Sequence, residues 1–226
     1  MVAGKLLPSE VARMAENFTL HGIFLSGPSM KVGLMLRLCR QPFAYRHVDL
    51  RSGAQKQPAY LALNRYGVVP TLQHGNLNLC QSNAILEYLA DTLGQFAGAD
   101  ATGRARTREW LFWDFDRLSP GIFRSRAIAR GFFKAPEAVA EAFRAAGDAG
   151  LAEVDRALGG SAFLTGASPT AADIACHVVI SLAPEGGFEL APYANIQAWS
   201  KRMAALPSMV PVTEVLPQAD APAVAA

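Results

Sequence analysis

The sequence predicts an α/β domain followed by an all-helical one. Three observations carry this expectation. Residues 18–94 alternate short strand-like and helix-like segments. Residues 95–102 (QFAGADAT) are small and polar. From residue 103 onward the long segments have helical spacing. A switch from mixed to purely 3.6-residue periodicity marks a change of architecture. The expected divisions are a leader (1–17), an α/β domain (18–94), a linker (95–102), an all-helical domain (103–216) and a loose tail (217–226) poor in large apolar residues.

Each element has its own local warrant. Thr19–Ser26 is a short apolar strand. Lys31–Arg40 puts Val32, Met35, Leu36 and Cys39 on one helical face, and Gln41-Pro42 stops it. Phe43–Leu50 is a second strand, and Gln57–Leu63 a short helix or irregular turn. Val68–Gln73 and Leu77–Cys80 flank His74-Gly75-Asn76 as a hairpin. Gln81–Leu93 carries Ile85, Tyr88, Leu89 and Leu93 on one face, and Gly94 stands at the C-cap position. In the second half, residues 103–131 form one long helical segment containing Trp110, Trp113, Phe115 and Leu118. Pro136 opens the next helix, in which Leu151, Val154 and Leu158 share a face. Residues 170–183 are apolar nearly all round, the pattern of a buried central helix. Ala194–Leu206 follows, and Pro207 ends it.

Composition narrows the function classes. Of 226 residues 51% are hydrophobic and 18% charged, enough for a real core and too apolar for a disordered chain. Lys and Arg total 21 against 19 Asp and Glu, a net +2 that gives no case for nucleic-acid binding. Cys39, Cys80 and Cys176 are far apart and form no C-x-x-C pair, so neither a disulfide framework nor a cysteine zinc site is expected, and no metal. No eighteen-residue apolar run predicts a membrane span. Pro8, Glu10, Arg13 and Glu16 interrupt any secretory h-region, so the expected location is the cytoplasm.

Two local features carry chemistry. Val69-Pro70 lies at the start of a strand. Pro70 marks either an edge strand with an ordinary trans bond or a cis bond that turns the Val69 backbone outward to pair with an extended ligand. X–Pro statistics alone favour the first. Gln81-Ser82 follows a strand and opens a helix, where unpaired N–H groups attract a carboxylate; the plainer reading makes Ser82 a helix cap.

Taken together, the run from Tyr66 to Ala90 (YGVVPTLQHGNLNLCQSNAILEYLA) resembles the glutathione transferase family, in which a V-P step, a hairpin and an (E/Q)-S-x-A-I-x-x-Y-L helix start form the glutathione-binding half of a thioredoxin-like domain. A second stretch, residues 163–174 (FLTGASPTAADI), is similar to that family's capping motif in its helical C-terminal domain, with Thr170 and Asp173 at capping-box spacing. The resemblance covers roughly residues 18–210. It implies a cis Pro70, pairing of the Val69 backbone with the cysteinyl part of glutathione, and the γ-glutamyl carboxylate at Gln81 and Ser82. Gln81 stands where many relatives have Glu, and Asn64-Arg65-Tyr66-Gly67 replaces the family's N-P-x-G turn. Residues 53–58 (GAQKQP) are similar to the loop that meets the glycyl carboxylate, which makes Lys56 the natural cation and Gln55 a weaker candidate; Lys56 reads equally as a solvated loop lysine.

The resemblance also implies a thiolate nucleophile, with glutathione as cosubstrate. Residues 24–32 (FLSGPSMKV) are similar to an S-G-N-x-x-K-V segment, which aligns Ser26 with the family serine and puts Pro28 in place of Asn; Ser29 is the alternative donor. The plainer reading has Ser26 ending a strand and Ser29 capping the helix. No Tyr or Cys lies in this loop, so neither tyrosine-type activation nor mixed-disulfide chemistry is expected, and the three cysteines read as packing residues. The implied second substrate is a small hydrophobic electrophile, as in detoxification, beside a wall to which Trp110, Trp113, Phe115 and Phe123 are candidates; each also reads as core. Seven arginines between Arg104 and Arg130 read first as a solvated face, second as anion attraction. His177 reads as a core histidine. A homodimer is implied. A glutathione-dependent isomerase or dehalogenase, or a non-catalytic glutathione-binding module, are the alternatives.

Overall fold

A computed structural model describes residues 18–224. The expected leader, 1–17, lies outside the described residues. Two compact units divide the described residues: one of residues 18–85 together with 207–224, the other Leu86–Leu206.

The first unit is a five-stranded mixed sheet with short helices. Its strands are β1 (Phe18–Gly22), β2 (Phe43–His47), β3 (Thr71–His74), β4 (Leu77–Cys80) and β5 (Ala221–Val224), in the order β4-β3-β1-β2-β5. β1 runs parallel to β2, and the other pairs are antiparallel. Between them lie α1 (Gly27–Leu38) and α2 (Pro58–Leu61); α3 (Ser82–Leu93) follows β4, with its first turn in this unit and the rest in the second. Leu20, Leu34, Met35, Leu36, Phe43, Tyr45, Leu72 and Ile85 are buried and make the core.

Several boundaries differ from the sequence reading for local reasons. β1 stops at Gly22 because the Ser26 N–H turns back onto the Ile23 carbonyl at 2.9 Å, and α1 then starts at Gly27, four residues before the expected Lys31. α1 ends at Leu38 rather than at the proline: Arg40 adopts a left-handed conformation (φ 53°) and the Gln41 N–H bonds the Leu36 carbonyl at 2.8 Å. The tail is not loose throughout. Residues 221–224 pair with β2 through Phe43↔Val224 and Tyr45↔Ala221, and the His47 N–H donates to Asp220 Oδ1 at 2.7 Å. Valine is the only large apolar residue in β5, and its burial adds to the sheet pairing that holds the strand.

The second unit is helical: α4 (Ala101–Trp113), α5 (Ser119–Ala129), α6 (Glu137–Leu158), α7 (Ala171–Ser181) and α8 (Ala194–Ala204). A π turn at Asp114–Leu118 joins α4 to α5, so the expected long segment is one rod with a wide turn inside it. α7 is buried from Ala171 to Ile180, as its sequence demands. Asp173, fully buried, fastens it. It accepts the N–H groups of Leu164 and Thr170, each at 2.9 Å, the Thr170 hydroxyl at 3.3 Å, and the indole N–H of Trp199 from α8 at 2.9 Å. α5 and α6 approach so closely that a Cβ on Gly121 would stand 2.4 Å from the Gly147 nitrogen; glycine is required there by space, not by φ.

Candidate glutathione site

Sheet register gathers the sequence-expected residues at one end of the first unit. β1 and β3 are antiparallel with His21 opposite Thr71, so the exit of β1 toward Ser26 adjoins the entry of β3 from Val69-Pro70. β3 and β4 are antiparallel with Thr71 opposite Cys80, so the exit of β4 into Gln81-Ser82 adjoins the same point. Ser26, Val69, Pro70, Gln81 and Ser82 are thereby brought together from three separate parts of the chain.

The Val69-Pro70 peptide is cis. Among the described residues, the Val69 N–H and C=O take no hydrogen-bond partner. The loop around them is held from behind by residues that sequence reasoning gave no role. The Tyr60 hydroxyl donates to the Val68 carbonyl at 2.8 Å and lies 3.0 Å from Thr71 Oγ1. Asn64, fully buried, donates through Nδ2 to the same carbonyl at 2.7 Å and to Thr71 Oγ1 at 3.0 Å, while its Oδ1 accepts the Tyr66 N–H at 3.0 Å. The departure from N-P-x-G therefore keeps the asparagine that does the anchoring. Only the flagged turn hinted at it; nothing in the spacing points to Tyr60 or Thr71.

Gln81 has φ 71°, a left-handed conformation that a non-glycine residue seldom takes. Its carbonyl accepts the Ile85 N–H at 2.9 Å, so it caps α3, and Ser82 is the first helical residue and nearly buried. The first N–H groups of a twelve-residue helix therefore face the shared end of the sheet.

Ser26 caps α1. Its Oγ accepts the Ser29 N–H at 3.3 Å, which reverses the plainer sequence reading in which Ser29 was the cap. Ser26 is half-buried. Ser29 is fully buried, and its Oγ lies 2.8 Å from the point a Gly22 Cβ would occupy; that oxygen meets no hydrogen-bonding partner. Lys56 is exposed at the end of the 3₁₀ turn Ala54–Lys56, and its Nζ lies 2.9 Å from the point a Gly67 Cβ would occupy. Gly67 has φ 58°, so glycine serves both the turn and the lysine's path. Lys56 thus reaches the loop that leads to Pro70.

The chain's other candidates fall elsewhere. Cys39 and Cys176 are buried, and burial pushes the Cys39 thiol up to about 12; Cys80 is half-buried with its thiol also raised by burial. Neither direction makes a thiolate. In the helical unit Trp110 and Trp113 pack edge to face at 5.0 Å and line a groove of about 350 Å³ with Arg106, Glu109, Glu153 and Leu164. Phe115 is exposed and Phe123 half-buried, so these aromatics are not core. The arginines mostly have carboxylate partners: Arg106 with Glu109 at 2.7 Å, Arg108 with Glu87, Arg117 with Asp116 at 2.7 Å, and Arg126 and Arg130 with Glu185. For the exposed arginines that supports the solvated-face reading over anion attraction; Arg126 is buried against Glu185. Among the described residues no group of three or more His, Cys, Asp and Glu is placed to hold a metal ion, and no helix is long and apolar enough to cross a membrane.

The comparisons with known proteins agree with this geometry. A family model described as the glutathione S-transferase N-terminal domain matches residues 26–92. Human glutathione S-transferase theta-2B is 31% identical over 191 residues, covering 80% of this chain and 78% of its own. The chain belongs to the glutathione transferase family. A crystal structure of a glutathione S-transferase from Pseudomonas fluorescens superposes with a TM-score of 0.79 at 31% identity, covering 87% of this chain and 98% of that one. The disulfide-bond oxidoreductase YfcG of Escherichia coli is 25% identical over 185 residues, 79% of this chain and 86% of its own. The glutathione transferase fold accounts for both units: a thioredoxin-like mixed sheet in one and helices in the other.

Proposed function

We propose that this family member binds glutathione at the shared end of β1, β3 and β4, and holds its sulfur as a thiolate for attack on a small hydrophobic electrophile. The observation that carries the reading is the register that brings the unpaired Val69 backbone, the Ser26 cap and the start of α3 to one point. Each part of the tripeptide has a complementary group. The cysteinyl N–H and C=O pair with Val69 as an added strand would. The γ-glutamyl carboxylate accepts from the α3 N-terminus and the Ser82 hydroxyl, with Gln81 as a further polar contact. Lys56 neutralises the glycyl carboxylate.

Activation falls to Ser26. Its oxygen already accepts the Ser29 N–H, which leaves the hydroxyl hydrogen to donate to sulfur. A donor to the charged form, together with the N-terminus of α1, lowers the thiol pKa. Buried Ser29 is assigned packing instead. The thiolate lone pair then forms the S–C bond, and the leaving group departs with its bonding pair. Proximity of the two bound reactants supplies the rest of the acceleration. The reading includes a cytoplasmic homodimer.

Similarity to a relative named as a disulfide-bond oxidoreductase gives one competing reading, glutathione-dependent disulfide reduction. Calorimetric glutathione binding, followed by turnover on an activated aryl halide and on a small disulfide, separates the cases. Conjugation with saturable glutathione supports the proposal; disulfide turnover alone replaces it; binding without either leaves a binding module.

A further inference from the structure

β5 runs antiparallel to β2 with Tyr45 opposite Ala221, so the entry of β5 meets the exit of β2. β1 and β2 are parallel with Gly22 opposite His47, which puts that exit at the same end of the sheet as the Ser26 turn. The chain leaving β2 is held there from both sides. Toward β1, the Val48 N–H donates to the Gly22 carbonyl at 2.8 Å. Toward β5, the His47 N–H donates to Asp220 Oδ1 at 2.7 Å, and Asp220 Oδ2 lies 3.9 Å from the Arg46 guanidinium. A backbone N–H bound to a carboxylate makes a short, strong bond. From His47 the chain reaches Lys56 through successive hydrogen-bonded turns. The Arg51 N–H donates to Asp49 Oδ1 at 2.9 Å, the Ala54 N–H to the Asp49 carbonyl at 3.1 Å, and the Lys56 N–H to the Gly53 carbonyl at 2.9 Å. These turns leave little slack between the end of β2 and Lys56, so the lysine's place depends on how that end is held.

We propose that Asp220 is a positioning residue for the glycyl carboxylate: it fixes the end of β2, and the turns that follow carry that position to Lys56. This rests on the glutathione reading above, which gives Lys56 that carboxylate. Asp220 acts through its bond and not its charge, because a carboxylate offers an anionic ligand no attraction. A loop already ordered in its bound conformation loses less entropy when the ligand arrives, and affinity gains accordingly. The chain's tail thereby contributes to a site built otherwise from residues 26–82.

The test is calorimetric Kd for glutathione and for γ-glutamylcysteine, the dipeptide that lacks the glycyl carboxylate. It compares the wild type with Asp220→Ala, Asp220→Asn, Lys56→Ala and the Asp220→Ala/Lys56→Ala double variant. Asp220→Ala weakens glutathione by roughly 3- to 10-fold and leaves the dipeptide near wild type. Asp220→Asn keeps the acceptor, loses the charge and binds both as the wild type does. In the Lys56→Ala background, Asp220→Ala adds no further loss, because the two residues act as one unit. Equal weakening of both ligands overturns the proposal and leaves a structural aspartate. An unmoved glutathione Kd in Asp220→Ala, failure of Asp220→Asn to rescue, or additive losses in the double variant overturns it equally. A wild type that binds no glutathione, or a Lys56→Ala variant that binds it undiminished, defeats the underlying reading and the proposal with it.

Discussion

The indole N–H of Trp199 donates to the carboxylate of Asp173 at 2.9 Å, and both residues are fully buried. One side chain thereby pins α8 to the first turn of α7, which is the centre of the helical unit. Trp199→Phe preserves most of the volume and removes the donor. It should cost about 1–3 kcal/mol, the usual result of leaving a buried acceptor short of one partner. Urea denaturation checks this, and an unchanged midpoint would mean the bond contributes nothing.

His177 lies against the Trp199 ring, edge to face with centroids 5.6 Å apart, and burial lowers its pKa to about 4. The folded pKa is depressed below the ordinary 6.5, so the unfolded chain binds the proton more readily between those values. Stability from this residue is full above about pH 6.5 and is lost as pH falls toward 4, a change of up to about 3 kcal/mol. A His177→Phe variant should show a flatter stability profile in that window when unfolding is followed from pH 7 to 4.

Ser26→Ala should lower turnover at least about tenfold and raise the thiol pKa while glutathione still binds, because a donor to sulfur is lost and the peptide contacts are kept. The same change removes an N-cap and costs about 1 kcal/mol of stability. Ser26→Thr, which keeps cap and hydroxyl, separates the two effects. Steady-state kinetics with unchanged kcat in Ser26→Ala would move activation to the backbone of α1.

Asn64→Ala strips the Val68 carbonyl and Thr71 of one donor and leaves the Tyr66 N–H without its acceptor. Stability should fall by about 1–3 kcal/mol. Glutathione affinity should fall roughly tenfold as the Val69 backbone loses its fixed position, with Tyr60→Phe milder on both counts. Calorimetry that finds full affinity in a destabilised Asn64→Ala would separate the loop support from binding.

Truncation after Leu216 removes β5 and the Asp220 contact to the His47 N–H. The thermal midpoint should drop by a few degrees, reflecting about 1–3 kcal/mol of lost pairing on β2. A truncated chain with an unaltered Tm would mean β5 adds no stability.

What could be read from the sequence was chemistry confined to neighbours in the chain. The β3–β4 hairpin follows from His74-Gly75-Asn76, and the buried α7 from its all-round apolarity with Thr170 and Asp173 three apart. The site's parts were readable as motifs, but their convergence depends on strand register, which no single segment encodes. β5 was missed because APAV has little strand propensity and its partner lies some 175 residues earlier. The swap of capping role from Ser29 to Ser26 was unreadable because either serine satisfies the same helix start. Tyr60 and Asn64 act through partners fixed only in the folded chain.

On the proposed function, the end of the sheet ionises a bound thiol. Titration of the glutathione complex by thiolate absorbance, against free glutathione, tests it most directly. The bound thiol pKa should lie at least about one unit below that of the free thiol, near 8.5. Saturable binding with an unshifted pKa would contradict it, because the site would then hold the tripeptide without activating its sulfur.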